Sequence, residues 1–376
     1  MKVLIAIDSF KGSLSSLQAG NAVKDAILSL CADAQVTVLP VADGGEGTVE
    51  AMCSAGGQLV SASVCGPLGA PVDAQYCILG QTAVIEMSAA AGITLVPQAQ
   101  RNPYFTTTFG VGQLILDALD RGCRSFIVGI GGSATNDGGT GMLRALGFRF
   151  LDAEGSPISL GAKGLQNLAS IDISGADPRL QSCTFRIACD VKNPLCGETG
   201  CSAVFGPQKG ATPEMVANMD AWLKNYAALS AQVSETADPR FPGAGAAGGL
   251  GFGFLAFLKG KLEPGTKIIF DEISLERYIE NCDIVVTGEG RLDAQTVMGK
   301  TPVGVAKLAK QHKKQVIAFA GCVTEDAVLC NDYGIDAYFP ILPGVVTLEE
   351  ALNPENAYKN LKNTAYQVFR LIKKNA

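Results

Sequence analysis

The chain has 376 residues, of which 47% are hydrophobic, and it carries a formal net charge of -6 at pH 7. That length predicts two domains, and the acidic balance disfavours nucleic acid or an anionic membrane as a partner. The 12 cysteines form no Cys-x-x-Cys pair and there is a single histidine, which disfavours a zinc site and histidine-dependent catalysis. The start of the chain turns acidic at Asp8, too early for a signal peptide, so we expect a cytoplasmic protein.

Strand and helix patterns alternate from the first residue onward. Apolar runs at 3–7 and 36–41 predict buried strands, helical spacing predicts a helix over 15–30, and another helix begins at Thr48. Such alternation is typical of a parallel, doubly wound sheet. Ligands of that architecture bind at the carboxyl ends of the strands.

The middle of the chain differs in character. Short alternating strands between 59 and 79 flank a turn rich in glycine and proline, which indicates an antiparallel or mixed region. The glycine-dense run 243–253 predicts either a hinge or close packing. Further patterns predict strands at 83–87, 126–130 and 184–189, and helices at 109–119, 140–146 and 213–229.

The opening pattern returns at the C-terminal end. Strands are predicted at 284–287, 316–320 and 337–342, and helices at 302–311 and 358–373. We therefore predict an α/β protein with two α/β domains, in which one domain interrupts the other. A doubly wound, Rossmann- or flavodoxin-like parallel-sheet domain would contain residues 1–63 and 281–376, and the inserted second domain would contain residues 64–280.

Four strands run into glycine-rich segments that carry polar or acidic residues. These are residues 8–13 (DSFKGS), 43–48 (DGGEGT), 131–139 (GGSATNDGG) and 287–293 (TGEGRLD). Glycine lets backbone amides approach an anion closely, and a following helix N-terminus favours negative charge. Carboxylates beside such a loop would repel phosphate unless a cation lies between them. The combination therefore predicts bound phosphate together with Mg²⁺, and hence phosphoryl transfer.

Loop 131–139 is the best candidate for binding the phosphates of a nucleotide, because it follows a buried strand and offers amides, hydroxyls and an amide side chain. A tight strand-to-helix turn is the alternative interpretation. The residues predicted to bind the cofactor are Gly131, Gly132, Ser133, Thr135, Asn136, Gly138, Gly139 and Lys300.

Lys300 belongs to a Gly-Lys-Thr segment that resembles the end of a Walker A motif. Residue 294 is alanine where that motif needs glycine, so we reject a standard P-loop. Arg291 and Lys300 would instead offset phosphate charge. The predicted Mg²⁺ ligands are Asp137, Glu289 and Asp293, and a surface salt-bridge cluster is the alternative for the last two.

Asp190 ends a buried strand, which suits a general base that accepts the proton of the substrate hydroxyl. Spacing alone leaves Asp43 and Asp137 open for that role. Lys11 and Arg291 are the other predicted catalytic residues, as partners of the substrate carboxylate. The residues predicted to bind substrate are Asp8, Ser9, Asp43, Glu46 and Asn193.

Simpler roles compete for some of these residues. Asp8 or Ser9 would also serve as a helix N-cap. Glu46 would also interact favourably with the dipole of the helix that follows it. Lys209 is a candidate phosphate contact, and a surface lysine accounts for it equally well.

Taken together, residues 8–14, 41–48, 131–139 and 287–293 closely resemble the type I glycerate kinases, the bacterial glycerate 2-kinase family. The resemblance runs in order along essentially the whole chain, with Ile7 where the family has proline. It implies ATP-dependent phosphorylation of D-glycerate, most often to 2-phosphoglycerate, with Mg²⁺. It also implies two α/β domains with the active site in the cleft between them.

Other functions stay open at this point. Glycerate 3-kinase activity is expected to use the same scaffold. A non-catalytic regulator that binds a sugar acid or a nucleotide should have lost acidic residues, whereas the motifs here retain theirs. An NAD-dependent dehydrogenase is disfavoured because no clean Gly-x-Gly-x-x-Gly follows the first strand. The residues do not decide whether the chain forms a homo-oligomer.

Overall fold

The structure, a computed structural model, describes residues 1–375 and divides into two compact units. Unit 1 combines Met1–Asp43 and Glu50–Gly56 with the chain from Thr266 onward, and unit 2 combines Gly44–Val49 with Gly57–Gly265. The domain boundaries predicted at 63/64 and 280/281 differ from this division. The first would cut a strand of unit 2, and the second would remove two helices from unit 1.

Thirteen strands are present among the described residues. In chain order they are β1 (Lys2–Ile5), β2 (Gln35–Val38), β3 (Gln58–Cys65), β4 (Pro71–Leu79), β5 (Thr82–Glu86), β6 (Ser125–Gly129), β7 (Arg149–Leu151), β8 (Ser170–Asp172), β9 (Thr184–Ala188), β10 (Lys261–Glu263), β11 (Ile284–Leu292), β12 (Gln315–Val323) and β13 (Ala337–Pro340).

The same part of the chain forms fourteen α-helices. They are α1 (Ser16–Leu30), α2 (Thr48–Ser54), α3 (Ser88–Ala91), α4 (Phe109–Asp120), α5 (Thr140–Ala145), α6 (Cys201–Phe205), α7 (Pro213–Ser230), α8 (Ala246–Leu258), α9 (Gly265–Glu272), α10 (Leu275–Glu280), α11 (Thr301–Gln311), α12 (Leu329–Asp332), α13 (Leu348–Leu352) and α14 (Pro354–Asn375). None of the helices within residues 1–375 is long and apolar enough to cross a membrane.

Unit 1 is built on a five-stranded parallel sheet. Its strand order is β13-β12-β11-β1-β2, with β1 paired to β11 on one side and to β2 on the other. Counted within the unit, this is the 2-1-3-4-5 order of flavodoxin-like sheets. The predicted α/β class with parallel sheets is confirmed.

The first helix of unit 1 begins and packs as its sequence dictates. Ser15 caps α1, and the side chain of Gln18 bonds back to the Ser15 backbone, which completes a capping box. Gly20 brings α1 close to the sheet, since a Cβ at this position would lie 2.4 Å from Cγ1 of Val38. The core behind the sheet joins α1 to α14 through buried residues such as Ile27 and Phe369.

Strand β11 is longer than predicted. The expected strand ended at 287, but pairing with β12 continues through Leu292, so the glycine-rich segment is itself extended. A Cβ at Gly288 would lie 2.1 Å from the carbonyl oxygen of Phe319, and one at Gly321 would lie 2.5 Å from that of Gly290. These glycines therefore permit close strand pairing, and the prediction of a loop here was wrong.

Unit 2 contains a six-stranded sheet in the order β10-β9-β6-β5-β4-β3. The pairs from β10 to β5 are parallel, whereas β5–β4 and β4–β3 are antiparallel. The mixed region predicted between residues 59 and 79 is thus confirmed. Strands β7 and β8 form a separate antiparallel pair.

The glycine-dense run 243–253 packs against loop 131–139. The amide of Gly138 donates to the carbonyl of Gly248 at 2.9 Å. Gly248 has φ +65°, and a Cβ there would lie 2.0 Å from the carbonyl oxygen of Thr135. Of the two predicted roles, this arrangement fits close packing.

We expect Gly112→Ala to destabilise unit 2. A Cβ at this position of α4 would lie 2.3 Å from the carbonyl oxygen of Met142 and 2.7 Å from Cβ of Ala145. Overpacking of this kind costs about 1–3 kcal/mol, which chemical denaturation should register as a lower free energy of unfolding. Gly344→Ala is the matched control, because among residues 1–375 no atom other than those of Gly344 and its two chain neighbours lies within 4 Å of its added Cβ. Equal stabilities for the two variants would contradict the close α4–α5 packing.

Candidate active site

A charged cavity of unit 1 lies at the carboxyl ends of its strands. From β1 the chain moves to β2 on one side, whereas β11, β12 and β13 follow on the other side, so the strand order reverses between β1 and β11. Crevices form at such reversals. A cavity of about 360 Å³ opens here, and its charged lining residues are Asp8, Lys11, Asp43, Glu289, Arg291 and Lys300.

Asp8 follows β1 and is almost completely buried. Its Oδ1 accepts a hydrogen bond from the Ser9 amide at 2.7 Å, and its Oδ2 accepts one from the Thr301 hydroxyl at 2.6 Å. Burial, and next the negative charge of Asp43, raises the pKa of Asp8 to about 7. Asp8 does not cap a helix. Its hydrogen bond to Thr301 connects the end of β1 to the start of α11 at the cavity.

Glu289, Arg291 and Asp293 lie at the end of β11 and just beyond it. Lys300 bridges the acids, with Nζ 3.5 Å from Glu289 Oε2 and 3.7 Å from Asp293 Oδ1. Arg291 Nε lies 3.4 Å from Asp293 Oδ2. Burial raises the pKa of Glu289, and the Thr296 hydroxyl, which donates to Glu289 Oε1 at 2.7 Å, opposes that rise.

The remaining polar wall comes from the segments after β1 and β2. Lys11 Nζ lies 3.8 Å from Asp43 Oδ2, and Ser9 also lines the cavity. The structure thus brings together eight residues that the sequence singled out. They are Asp8, Ser9, Lys11, Asp43, Glu289, Arg291, Asp293 and Lys300.

Loop 131–139 lies in unit 2, and much of its hydrogen-bonding capacity is used within that unit. Gly138 donates to Gly248, the Gly139 amide donates to the Asp137 carboxylate at 3.1 Å, and α5 after the loop has only 6 residues. Thr135 Oγ1 and Asn136 Oδ1 are buried without a hydrogen-bond partner among the described residues. Gly131 and Gly132 are the exposed part of the loop.

Asp137 does not fit the predicted role of Mg²⁺ ligand. It is 0% exposed, and its carboxylate accepts hydrogen bonds from the amide and hydroxyl of Thr108, both at 2.9 Å, and from the amides of Gly139 and Gly141. Burial raises its pKa, and these hydrogen bonds oppose the rise. The side chain fixes the loop to the start of α4, so burial also removes it as a candidate base.

Lys209 is neither a surface lysine nor an exposed phosphate contact. It is 2% exposed, and its Nζ donates to Ser133 Oγ at 2.8 Å and to the Thr135 carbonyl at 2.6 Å. Burial lowers the pKa of Lys209 to about 8. Lys209 therefore stabilises the loop at 131–139 through buried hydrogen bonds.

The other predicted site residues also belong to unit 2. Asp190 is exposed, and its Oδ1 accepts a hydrogen bond from the Gly265 amide at 3.2 Å. The amide side chain of Asn193 donates to the Thr199 carbonyl at 2.8 Å, which holds its own loop. Glu46 is exposed.

Several residues that shape these segments were missed. Thr301 and Thr296 hold Asp8 and Glu289, and Glu86 accepts a hydrogen bond from the Val49 amide at 2.9 Å, which fastens the glycine loop at 44–49. Thr301 stands beside Lys300 in the Gly-Lys-Thr segment, so the sequence carried a signal there. Glu86 ends a strand within unit 2, and nothing in its local pattern marks its partner.

The donor set at the cavity fits a Mg²⁺ ion. Oxygen ligands are what this ion prefers, and Lys300 contacts two carboxylates, that of Glu289, which lines the cavity, and that of Asp293. Asp137 is excluded as a Mg²⁺ ligand because its side chain is completely buried.

A flavodoxin-like sheet with cations and carboxylates at its strand reversal is suited to binding a small anionic ligand. Residues 3–373 match the glycerate kinase family model. A glycerate kinase from Haemophilus influenzae is 48% identical over 99% of both chains, and a glycerate 2-kinase from Escherichia coli K12 is 48% identical over 96% of this chain and 95% of its own. A crystal structure of a Salmonella typhimurium LT2 protein described as glycerate kinase 2 superposes with a TM-score of 0.93, at 48% identity, over 100% of this chain and 99% of the other.

The chain belongs to the glycerate kinase family, and it is an enzyme, a kinase. The resemblance that the motifs indicated is confirmed.

The buried Asp8 should make stability depend on pH. Its folded-state pKa of about 7 lies above the ordinary 3.8, so the folded chain binds more protons between these values and loses stability as pH rises through them. The measured quantity is the free energy of unfolding of Asp8→Asn minus that of the native chain, without divalent metal. This difference should be about 2–3 kcal/mol larger at pH 8 than at pH 5. Denaturant titrations at both pH values measure it, with the exposed Asp33 giving the control Asp33→Asn. A difference that stays constant with pH would contradict the buried environment of Asp8.

Proposed function

We propose that the chain catalyses the ATP-dependent phosphorylation of D-glycerate to 2-phosphoglycerate with Mg²⁺. The observation that carries this proposal is the unit 1 cavity, where Lys11, Arg291 and Lys300 meet a set of carboxylates at the strand reversal. The glycerate kinase family and the relative named glycerate 2-kinase support the choice of substrate and product.

The cations would act by positioning and by offsetting charge, which is the protein's main task in phosphoryl transfer. Lys300 lies between Glu289 and Asp293 and is therefore placed to contact a phosphate when those acids bind a metal ion instead. Lys11 and Arg291 have more exposed side chains and are suited to the carboxylate of glycerate.

Glu289 and Asp293 are the residues proposed to hold Mg²⁺. When bound, the ion would neutralise part of the charge of the nucleotide phosphates and orient them. Asp8 and Asp43 lie at the same cavity and are proposed to contact the substrate. Fixed hydrogen bonds from Ser9 and Thr301 hold the Asp8 carboxylate in one orientation, which suits a binding role.

The position of phosphorylation can be tested directly. The purified protein is mixed with Mg-ATP and D-glycerate, and the product is followed by coupling to enolase without phosphoglycerate mutase. We expect immediate formation of phosphoenolpyruvate, because only 2-phosphoglycerate is a substrate of enolase. Signal only after addition of the mutase would indicate a glycerate 3-kinase. Absence of ADP release would contradict kinase activity on glycerate and favour the regulator.

Asp190 is the proposed general base, since it is an exposed acid two residues beyond the end of β9 whereas Asp137 is buried. General-base catalysis contributes roughly 10²–10⁴-fold, so Asp190→Asn should lower kcat by about 100-fold or more with little change in either KM. Steady-state kinetics in both substrates measure this, with a thermal melt to confirm folding. Asp43→Asn is the comparison, because Asp43 is the other acid that the sequence left open. A near-native kcat for Asp190→Asn would reject the assignment.

A further inference from the structure

The unit 1 cavity has an apolar side in addition to its charged lining residues. It is formed by the residues after β13 and by helices α13 and α14. The apolar lining residues of this side are Ile341, Leu342, Leu348, Ala351, Leu352 and Ala357. The same cavity thus offers both cations and aliphatic side chains.

Leucines of this apolar side are unusually exposed. Leu348 is 75% exposed and Leu352 is 37% exposed, although both border a concave site rather than a convex surface. Exposed apolar surface in a cavity of this size is a common feature of small-molecule sites, which enclose about 300–1,000 Å³. A ligand with an apolar face would cover these side chains.

The chemistry of the two proposed substrates separates their positions. Glycerate is a small acid whose carbons all carry oxygen, so it has no apolar face to cover leucine side chains. ATP combines a planar base, which packs well against aliphatic groups, with a triphosphate that needs cations. The cavity presents both surfaces within about 360 Å³.

The glycine loop of unit 2 is the rival nucleotide site, and its geometry is less suitable. Its sheet runs from β3 to β10 without a reversal of strand order, so no switch-point crevice forms there. The amides of Gly138 and Gly139 already donate within the unit, and the hydroxyl of Thr135 is buried.

We propose that the adenine base of ATP binds against Leu342, Leu348 and Leu352 on the apolar side of the unit 1 cavity. The triphosphate then extends toward Lys300 and the proposed Mg²⁺ ligands Glu289 and Asp293. This inference rests on the proposed function in one respect, the use of ATP as phosphoryl donor. It transfers the nucleotide from the loop that the sequence favoured to the other unit.

The test is the variant Leu348→Asn. Asparagine is polar and uncharged, and because position 348 is exposed, the substitution should leave folding intact. Calorimetric titration of the full chain compares ADP, which has the base, with inorganic tripolyphosphate, which lacks it. Loss of the apolar contact should weaken ADP binding by about tenfold and leave tripolyphosphate binding within about twofold. The KM for ATP should rise by a similar factor while the KM for glycerate stays unchanged. Leu371→Asn, at a leucine of α14 that is 64% exposed and does not line the cavity, is the matched control.

Outcomes for the inference and for the proposed function are distinguishable. ADP binding by Leu348→Asn at native affinity would overturn the inference, as would a native chain that binds no ADP. If Gly131→Asp weakened ADP binding and Leu348→Asn left it unchanged, the nucleotide would be placed at the glycine loop instead. A native chain that binds ADP through Leu348 but phosphorylates no glycerate would contradict the proposed function and retain the inference.

Discussion

Strand β1 lies between β2 and β11, and its parallel pairing with β11 joins the two ends of the chain. The ladder continues past the strand itself, since the Ala6 amide donates to the Val286 carbonyl at 2.8 Å and the Asp8 amide donates to the Gly288 carbonyl at 2.9 Å. Consequently the segments that follow β1 and β11 leave the sheet at one edge. This pairing brings Asp8 and Lys11, which follow β1, to the same cavity as Glu289 and Arg291 of β11.

Glycine serves two different purposes at the candidate active site and around it. In β11 it allows neighbouring strands to approach, since a side chain at Gly288 would collide with the backbone of β12. In unit 2 it allows the loop at 131–139 to pack against Gly248, while Asp137 and Lys209 fasten the same loop by buried hydrogen bonds. At both places the glycine-rich sequence therefore serves close backbone packing.

Much of the fold was predictable, because hydrophobic periodicity and capping signals are local. The start of α1, the alternation of strands and helices, and the mixed region near β3 and β4 all follow from neighbouring residues. The site was predictable only as a set of candidates. A glycine's local sequence does not reveal whether it approaches a phosphate or another strand, as Gly288 illustrates, and the burial of Lys209 and Asp137 arises from packing between distant segments. The exposed Leu348 carried no motif at all.

We propose that the metal and the nucleotide both bind at the strand reversal of unit 1. The most direct measurement is a crystal structure of the protein with Mn²⁺ and a non-hydrolysable ATP analogue, in which anomalous scattering locates the metal independently of any assumed pose. We predict a peak within coordination distance of Glu289 or Asp293, with the base against Leu348. A peak beside Gly131 and Gly132, with none in the unit 1 cavity, would contradict the claim.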